Sequence, residues 1–308
     1  MAGEPYNGLV TRRALLGGAE EDVSGTAEDV TEALSSTTIY DAKMVPVDFY
    51  ADGMRQPIGT GGYVAGVRGT TRGQLTFRQE IRNGDQFLSM LTGAAMTITS
   101  GSSYAPTTSF SSRKTWTFRL WEDGRAKQIH GATANVSLEW TNGGRVFANW
   151  TWDGVWDAPE DEAMPEQSAT AHTTSVYVAR SATLTIGAAE IPHTSSGTID
   201  MGNSVVPRED VTAASGISHF FIESRQPQIT LDTEARKIAE GAPFATLLSG
   251  ATAAFVLEMT SGANTLSVTC PAVQRIDVGD EDRGGRRVDQ LTLLCCAYSG
   301  DDEIVITA

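Results

Sequence analysis

Gln74-Leu75-Thr76-Phe77 and Gln228-Ile229-Thr230-Leu231 are near copies of one another, 154 positions apart in a chain of 308 residues, half its length. Phe87-Leu88-Ser89-Met90-Leu91-Thr92-Gly93-Ala94 returns as Phe244-Ala245-Thr246-Leu247-Leu248-Ser249-Gly250-Ala251. Thr117-Phe118-Arg119-Leu120, followed by a turn at Asp123-Gly124, returns as Ala254-Phe255-Val256-Leu257, followed by Ser261-Gly262. Outside these blocks identity is poor, so what repeats is the order of elements more than the letters. An internal repeat of this kind governs the fold and must be read first.

Working outward, each block sits in the same local grammar. Met44 to Tyr50, Tyr63 to Arg68 and Gln74 to Ile81 are β-type runs, with a long loop from Ala51 to Gly62 between the first two. Gly197 to Met201, Ile217 to Ile222 and Gln228 to Glu234 follow the same plan, with a long loop from Gly202 to Gly216. One short helix follows each third run. Asp85 precedes the first and Gly93 closes it; Pro243 starts the second and Gly250 closes it, the usual asymmetry of Pro early and Gly after the end. The rest alternates as strands do, with Trp116, Phe118 and Leu120 on one side. The Ser/Thr-rich Thr97 to Ser112 is an insertion in the first half only. The reading is a mainly β chain of two tandem β-sandwich or half-barrel units. Residues 42–158 form the first and 176–308 the second, with a linker at 159–175 rich in Glu, Asp and Pro. Residues 1–41 form an acidic N-terminal arm that needs a neighbour to fix it, its helical hint confined to Ala27–Leu34.

Composition narrows the function. With 40 % hydrophobic and 20 % charged residues the chain is globular, and no apolar run is long enough to span a membrane. The N-terminus lacks a signal peptide, and three cysteines (Cys270, Cys295, Cys296) without metal spacing fit synthesis in a reducing cytoplasm. A net charge of −15, with 23 Lys and Arg, argues against a surface that grips nucleic acid but not against one that nucleic acid slides past.

Chemistry is hard to find. His130, His172, His193 and His219 are scattered, with no pair at metal-ligand spacing. Cys295-Cys296 reads as buried small hydrophobes, and Cys270 has no obvious partner. Gly59-Thr60-Gly61-Gly62 lacks the lysine of a phosphate loop. Asp277 to Asp282 reads as a solvated hairpin tip, because its spacing is not that of a calcium loop. All six tryptophans lie between Trp116 and Trp156, and Trp150 and Trp152 share a strand face. Exposed, such a strip binds sugars; buried, it is core or subunit interface. The expectation is no catalytic residue, cofactor or metal.

Thr115-Trp116-Thr117-Phe118-Arg119-Leu120-Trp121-Glu122-Asp123-Gly124-Arg125, His130 to Leu138, Gly202 to Asp210 and the closing Gly300 to Ile306 together resemble the major tail tube proteins of long, non-contractile-tailed (siphovirus-type) phages. The resemblance runs from about residue 42 to the end. It implies β-sandwich units flanked by a helix, whose sheets join side by side into a ring-shaped β-barrel on oligomerisation, with rings stacking into the tube through which the genome leaves. It further implies a virion protein made in the host cytoplasm, with tape-measure, tail-terminator and distal tail proteins as partners and DNA passing without specific binding. If single-unit relatives close a ring with six copies, a chain with two units closes it with three, so a homotrimer is expected, with a hexamer as the alternative. Asp52, Gly53, Met54 and Arg55 in the first long loop and Pro207, Arg208, Glu209 and Asp210 in the second are the candidate inter-ring residues. A carbohydrate-binding or adhesin-like surface protein is the alternative function.

Overall fold

The computed structural model describes residues 14–31, 34, 38–47, 50–52, 56–83, 86–165, 175–187, 189–191, 193–237 and 243–308. In the first half the strands are β1 (Ala14–Glu20), β2 (Thr38–Val47), β3 (Tyr50–Asp52), β4 (Val67–Arg68), β5 (Arg72–Glu80), β6 (Met96–Ser100), β7 (Ser103–Pro106), β8 (Trp116–Glu122), β9 (Arg125–Thr141), β10 (Phe147–Trp156) and β11 (Glu160–Asp161). In the second they are β12 (Thr183–Ile186), β13 (Ala189–Glu190), β14 (Ser196–Asp200), β15 (Asn203–Glu209), β16 (Ile217–Arg225), β17 (Gln228–Glu234), β18 (Thr252–Ser261), β19 (Asn264–Arg283), β20 (Arg286–Cys296) and β21 (Val305–Thr307). The helices are α1 (Phe87–Met90) and α2 (Pro243–Ser249). The protein is mainly β, and every strand pairing is antiparallel. Among the described residues no helix is long and apolar enough to cross a membrane.

Hydrogen bonding links the first set of strands in the order β2-β5-β10-β9-β8-β1. The second set follows the order β14-β17-β20-β19-β18-β12. The small hairpins β3–β4 and β15–β16 occupy the same place in each order, and α1 and α2 both lie between the equivalents β5/β17 and β8/β18. Leu75 and Phe77 of β5 are buried, as are Ile229 and Leu231 of β17, so the repeated letters are core positions. The sets are joined because β14 pairs with β9 on one edge and β17 on the other. The Thr97 to Ser112 insertion is a hairpin, β6–β7, and β7 pairs with β21 from the far end of the chain.

The tryptophans form core, which removes the exposed aromatic platform. Trp121 and Trp152 are 0 % exposed and Trp156, the most accessible, 9 %. Trp150 and Trp152 stack with ring centroids 5.4 Å apart, and Phe118 meets Trp152 at 4.6 Å, in the offset or tilted geometries aromatic quadrupoles favour.

Other expectations need correction. The N-terminal arm needs no neighbour from residue 14 onward: β1 pairs with β8, and β2 crosses the boundary expected at residue 41. The stretch from Ala27 is not helical; Glu28 N–H donates to Thr117 Oγ1 at 3.0 Å and Leu34 N–H to the Leu16 carbonyl at 2.9 Å, anchoring Val30 and Leu34 against the body. The carboxylate of Glu21, 1 % exposed, holds this arrangement, accepting from Gly25 N–H (2.7 Å), Thr115 Oγ1 (2.6 Å), Thr117 Oγ1 (2.8 Å) and Gly131 N–H (2.6 Å). A buried carboxylate needs such a full set of donors.

The Tyr63–Arg68 run yields only β4, with Tyr63, Val64 and Val67 exposed. The first helix is shorter than expected and continues as a 3-10 turn over Leu91–Ala94, ended by Ala95 in the left-handed region at φ 54°. Gly93 is therefore not its terminator; a Cβ there would lie 2.3 Å from Trp152 Cη2, so close packing requires the glycine. Asp85, the expected cap, lies outside the described residues. The second helix begins at Pro243 as expected, with Gly250 following in the left-handed region.

Candidate assembly interface

The join between the two sets is built strand to strand. β14 lies on β9 with Ser196 opposite Thr141, Gly197 opposite Trp140, Thr198 opposite Glu139, Ile199 opposite Leu138 and Asp200 opposite Ser137. Leu138 and Ile199 are buried together, supplying the apolar half of the join. Gly197 is fixed by proximity, because a Cβ would stand 2.3 Å from Trp140 Cζ2. Asn135 locks the end: its Nδ2 donates to Asp200 Oδ1 at 2.9 Å, and its Oδ1 accepts from Asn203 N–H at 3.0 Å. Asn203 Nδ2 also donates to the Ala134 carbonyl at 3.0 Å.

Asn203–Glu209 of the expected loop Gly202 to Gly216 is strand, the first arm of the β15–β16 hairpin. The hairpin lies on the first set up to its turn: Ile217, next to the turn, and Phe220 pack against Val155, and Arg72 stands over the Phe220 ring at 5.5 Å. Arg113 Nη1 donates to the Ile222 carbonyl at 2.7 Å, and Thr71 N–H to the Ser215 carbonyl at 3.0 Å. Pro207, Arg208 and Glu209 are in β15, opposite Phe220, His219 and Ile217. Burial first, and then Arg208, lowers the His219 pKa. Asp210 starts the tip, accepting from Thr212 Oγ1 (2.6 Å) and Thr212 N–H (2.8 Å), and these bonds hold its carboxyl below the usual range. Val211 at the tip is fully exposed. Of the eight expected inter-ring residues, Pro207, Arg208, Glu209 and Asp210 thus fall on the β15–β16 hairpin and Asp52 ends β3, while Gly53, Met54 and Arg55 lie outside the described residues.

A longer surface emerges from the pairings. β2, β5, β10, β9, β14, β17, β20 and β19 run side by side as one ribbon. Its two faces differ because strand side chains alternate. One face carries Leu75, Phe77, Leu138, Trp150, Ile199 and Ile229 into the core. The other is polar across the join: Thr76, Thr151 and Asn135 align, as do Arg78, Asn149, Ser137, Asp200 and Gln228. Gln74 Nε2 donates to Asp153 Oδ1 (3.1 Å), Asn149 Nδ2 to Glu139 Oε2 (2.9 Å), and Arg78 pairs with Glu139 (2.7 Å) and Arg283 with Asp232 (2.8 Å). Burial raises the Asp153 pKa against the Gln74 bond and Arg72. Among the described residues both ends of the ribbon are open: β2 pairs only with β5, and the β19 segment from Asp277 to Arg283 pairs only with β20.

The residues screened for chemistry are dispersed. His130 Nδ1 is 2.9 Å from Asp157 Oδ2; burial lowers its pKa, but the Asp157 hydrogen bond and the charges of Asp157 and Glu21 outweigh this and raise it. His193 and His219 lie elsewhere, and His172 is outside the described residues. Cys270 does have a partner: its sulfur is 3.4 Å from that of Cys295, and that hydrogen bond, with burial, pushes the Cys270 thiol pKa up, the state of an inert buried thiol. Asp280 and Asp282 sit on the β19–β20 hairpin among Arg283, Arg286 and Arg287. Among the described residues no cluster of His, Cys, Asp and Glu is arranged to hold a metal ion. An apolar-lined recess of about 250 Å³ lies beside α2 and is lined by Ile186, Ile191, Pro243, Arg275, Asp289 and Leu291, among others.

No protein-family model matches the chain, and no curated protein matches it in sequence.

Proposed function

We propose that this chain is a structural protein that joins copies of itself into closed rings, and that the rings stack into a tube serving as a conduit for DNA, as in the tail tube of long, non-contractile-tailed phages. The observation that carries this reading is the eight-strand ribbon: one face apolar and packed, the other polar, with an unpaired strand at each end. An open sheet edge is a template for pairing with another chain, and closure into a barrel removes it. The two strand sets are two tandem tube-type units, and the β9–β14 join is a unit-to-unit contact made within one chain. Three chains then close a ring that six single units would close, since a head-to-tail contact forms a ring when its rotation divides the circle.

The polar face becomes the channel wall. Its carboxylates, among them Glu139, Asp153, Asp200 and Asp232, include the partners of Arg78 and Arg283, so these cations are not free to hold phosphate and a duplex passes without adhering. The exposed turn from Asp210 to Ala213, beyond the Thr71–Ser215 bond that ties the hairpin to the first set, makes the contact with the next ring. The tape-measure, tail-terminator and distal tail proteins are the proposed partners in the virion. Burial of all six tryptophans takes away the main support for a carbohydrate-binding alternative.

Negative-stain electron microscopy of the purified protein tests the proposal. Stacked rings or tubes with a central channel are the expected result. Monomers at every concentration and salt condition would overturn it.

A further inference from the structure

The two open strand edges match the two strands already joined inside the chain. Lys43 of β2 lies opposite Thr76 as Thr198 of β14 lies opposite Thr230, and Gln74 and Gln228 anchor the same register. Glu281 of β19 lies opposite Val288 as Glu139 of β9 lies opposite Phe147. Because Thr198 faces Glu139 in the internal join, the same join made between chains brings Lys43 opposite Glu281. It also sets Val45 opposite Gly279 and Met44 opposite Asp280.

We infer that β2 of one chain pairs antiparallel with the Gly279–Arg283 segment of β19 of a second copy, in the register Lys43 to Glu281. This rests on the assembly reading above and supplies its contact. Three observations favour a second copy as the occupant. Lys43 and Glu281 carry opposite charges, both are exposed, and neither makes an ion pair with another described residue. Opposite charges directly across an antiparallel pair stabilise it, and like charges oppose it. Backbone groups at both edges are satisfied by side chains: Lys127 Nζ donates to the Met44 carbonyl at 3.2 Å, and Val278 N–H donates to Asp277 Oδ1 at 2.9 Å. Finally, β3–β4 follows β2 as β15–β16 follows β14, and the exposed Tyr63, Val64 and Val67 then cover the second copy as Ile217 and Phe220 cover Val155.

The join exchanges the Lys127 contact with the Met44 carbonyl for ladder hydrogen bonds, so the free chain keeps its β2 edge blunted until a partner arrives.

The test is a cysteine pair. Full-length protein carrying Lys43→Cys and Glu281→Cys, assembled and treated with a mild oxidant, is expected to give chain-to-chain disulfides up to a closed trimer on a denaturing gel. Either substitution alone gives none. A charge swap supplies a second reading: Lys43→Glu raises the concentration needed for assembly about tenfold, a like-charge cost of roughly the size that changes an equilibrium by that factor, and adding Glu281→Lys restores it. Particles that form normally without the disulfide, and are indifferent to the swap, would overturn this join while leaving the assembly reading standing. Absence of any particle from the unmodified chain would overturn both.

Discussion

At Gly197 one hydrogen atom decides whether the two halves of the chain can meet. The β9–β14 join brings Trp140 into the space a side chain at 197 would fill, with the nearest ring carbon 2.3 Å from a built Cβ. Gly197→Ala is expected to cost about 1–3 kcal/mol, the usual penalty for overpacking, read as a drop in the denaturation midpoint. An unchanged midpoint would show the ring free to move aside. Glu21 decides a second point. Its carboxylate takes four hydrogen bonds from groups spread between Gly25 and Gly131, so Glu21→Ala leaves buried donors unmet, at about 2–3 kcal/mol. Loss of less than about 0.5 kcal/mol, the range of an ordinary surface change, would contradict the role given to it. His130 sets a pH dependence. Its folded-state pKa lies above the ordinary value, so the stability it contributes is full below that value and is lost as pH rises through the raised one. His219 works in the opposite sense, its lowered pKa giving stability that is lost as pH falls. The informative quantity is the difference between wild type and His130→Gln: from pH 6 to pH 8 the wild type should lose stability that the variant does not. Identical pH profiles would rule this out.

Elements show what the letters carry and what they hide. Gln228–Glu234 was legible to the residue, because Ile229, Leu231 and Thr233 alternate inward and the run is short and β-rich. The start of α2 was legible for the same local reason, a proline at its head. The β15–β16 hairpin was not: Asn203–Glu209 is largely half-exposed and contains Pro207, so its alternation is faint, and only packing on Val155 and Arg72 makes it a strand. The N-terminal arm was missed because the groups that fix Glu21 lie about a hundred positions away, where no local pattern reaches. The polar ribbon face was half legible. Gln74, Thr76, Arg78 and Glu80 announce one polar edge, but the register that aligns it with Asn149, Ser137 and Asp200 is set by non-local pairing.

The two helices look alike in sequence and differ in duty. Phe87 and Met90 of α1 are buried, whereas α2 has no buried residue and Phe244 is 44 % exposed. Phe87→Ala should therefore cost about 3–5 kcal/mol, and Phe244→Ala less than about 1 kcal/mol in the unassembled chain. Equal losses in denaturant melts would mean that the second helix packs as the first does.

At the scale of the whole molecule, edges and faces decide what the chain can do. A ribbon that is polar on one side and open at both ends has two ways to lose its edges, aggregation or closure, and a self-complementary pair of ends favours closure. If the polar face lines a channel as proposed, contact with DNA is weak: duplex binding should be undetectable at micromolar protein in moderate salt, and salt-sensitive binding in the submicromolar range would contradict that reading. Dialysis against a strong chelator should leave assembly and melting temperature unchanged, because no cluster of His, Cys, Asp and Glu among the described residues is arranged to hold an ion. A large destabilisation on chelation would reveal a bound ion that holds the fold.

The most direct test of the central claim is the symmetry of the assembled particle, read from a cryo-electron microscopy reconstruction. The account predicts rings of three chains with true threefold and approximate sixfold symmetry, in which β2 of each chain lies beside β19 of the next and the inner barrel is unbroken. A ring of six chains would contradict the trimer, and particles in which β2 and β19 remain unpaired would contradict the claim that these edges build the tube.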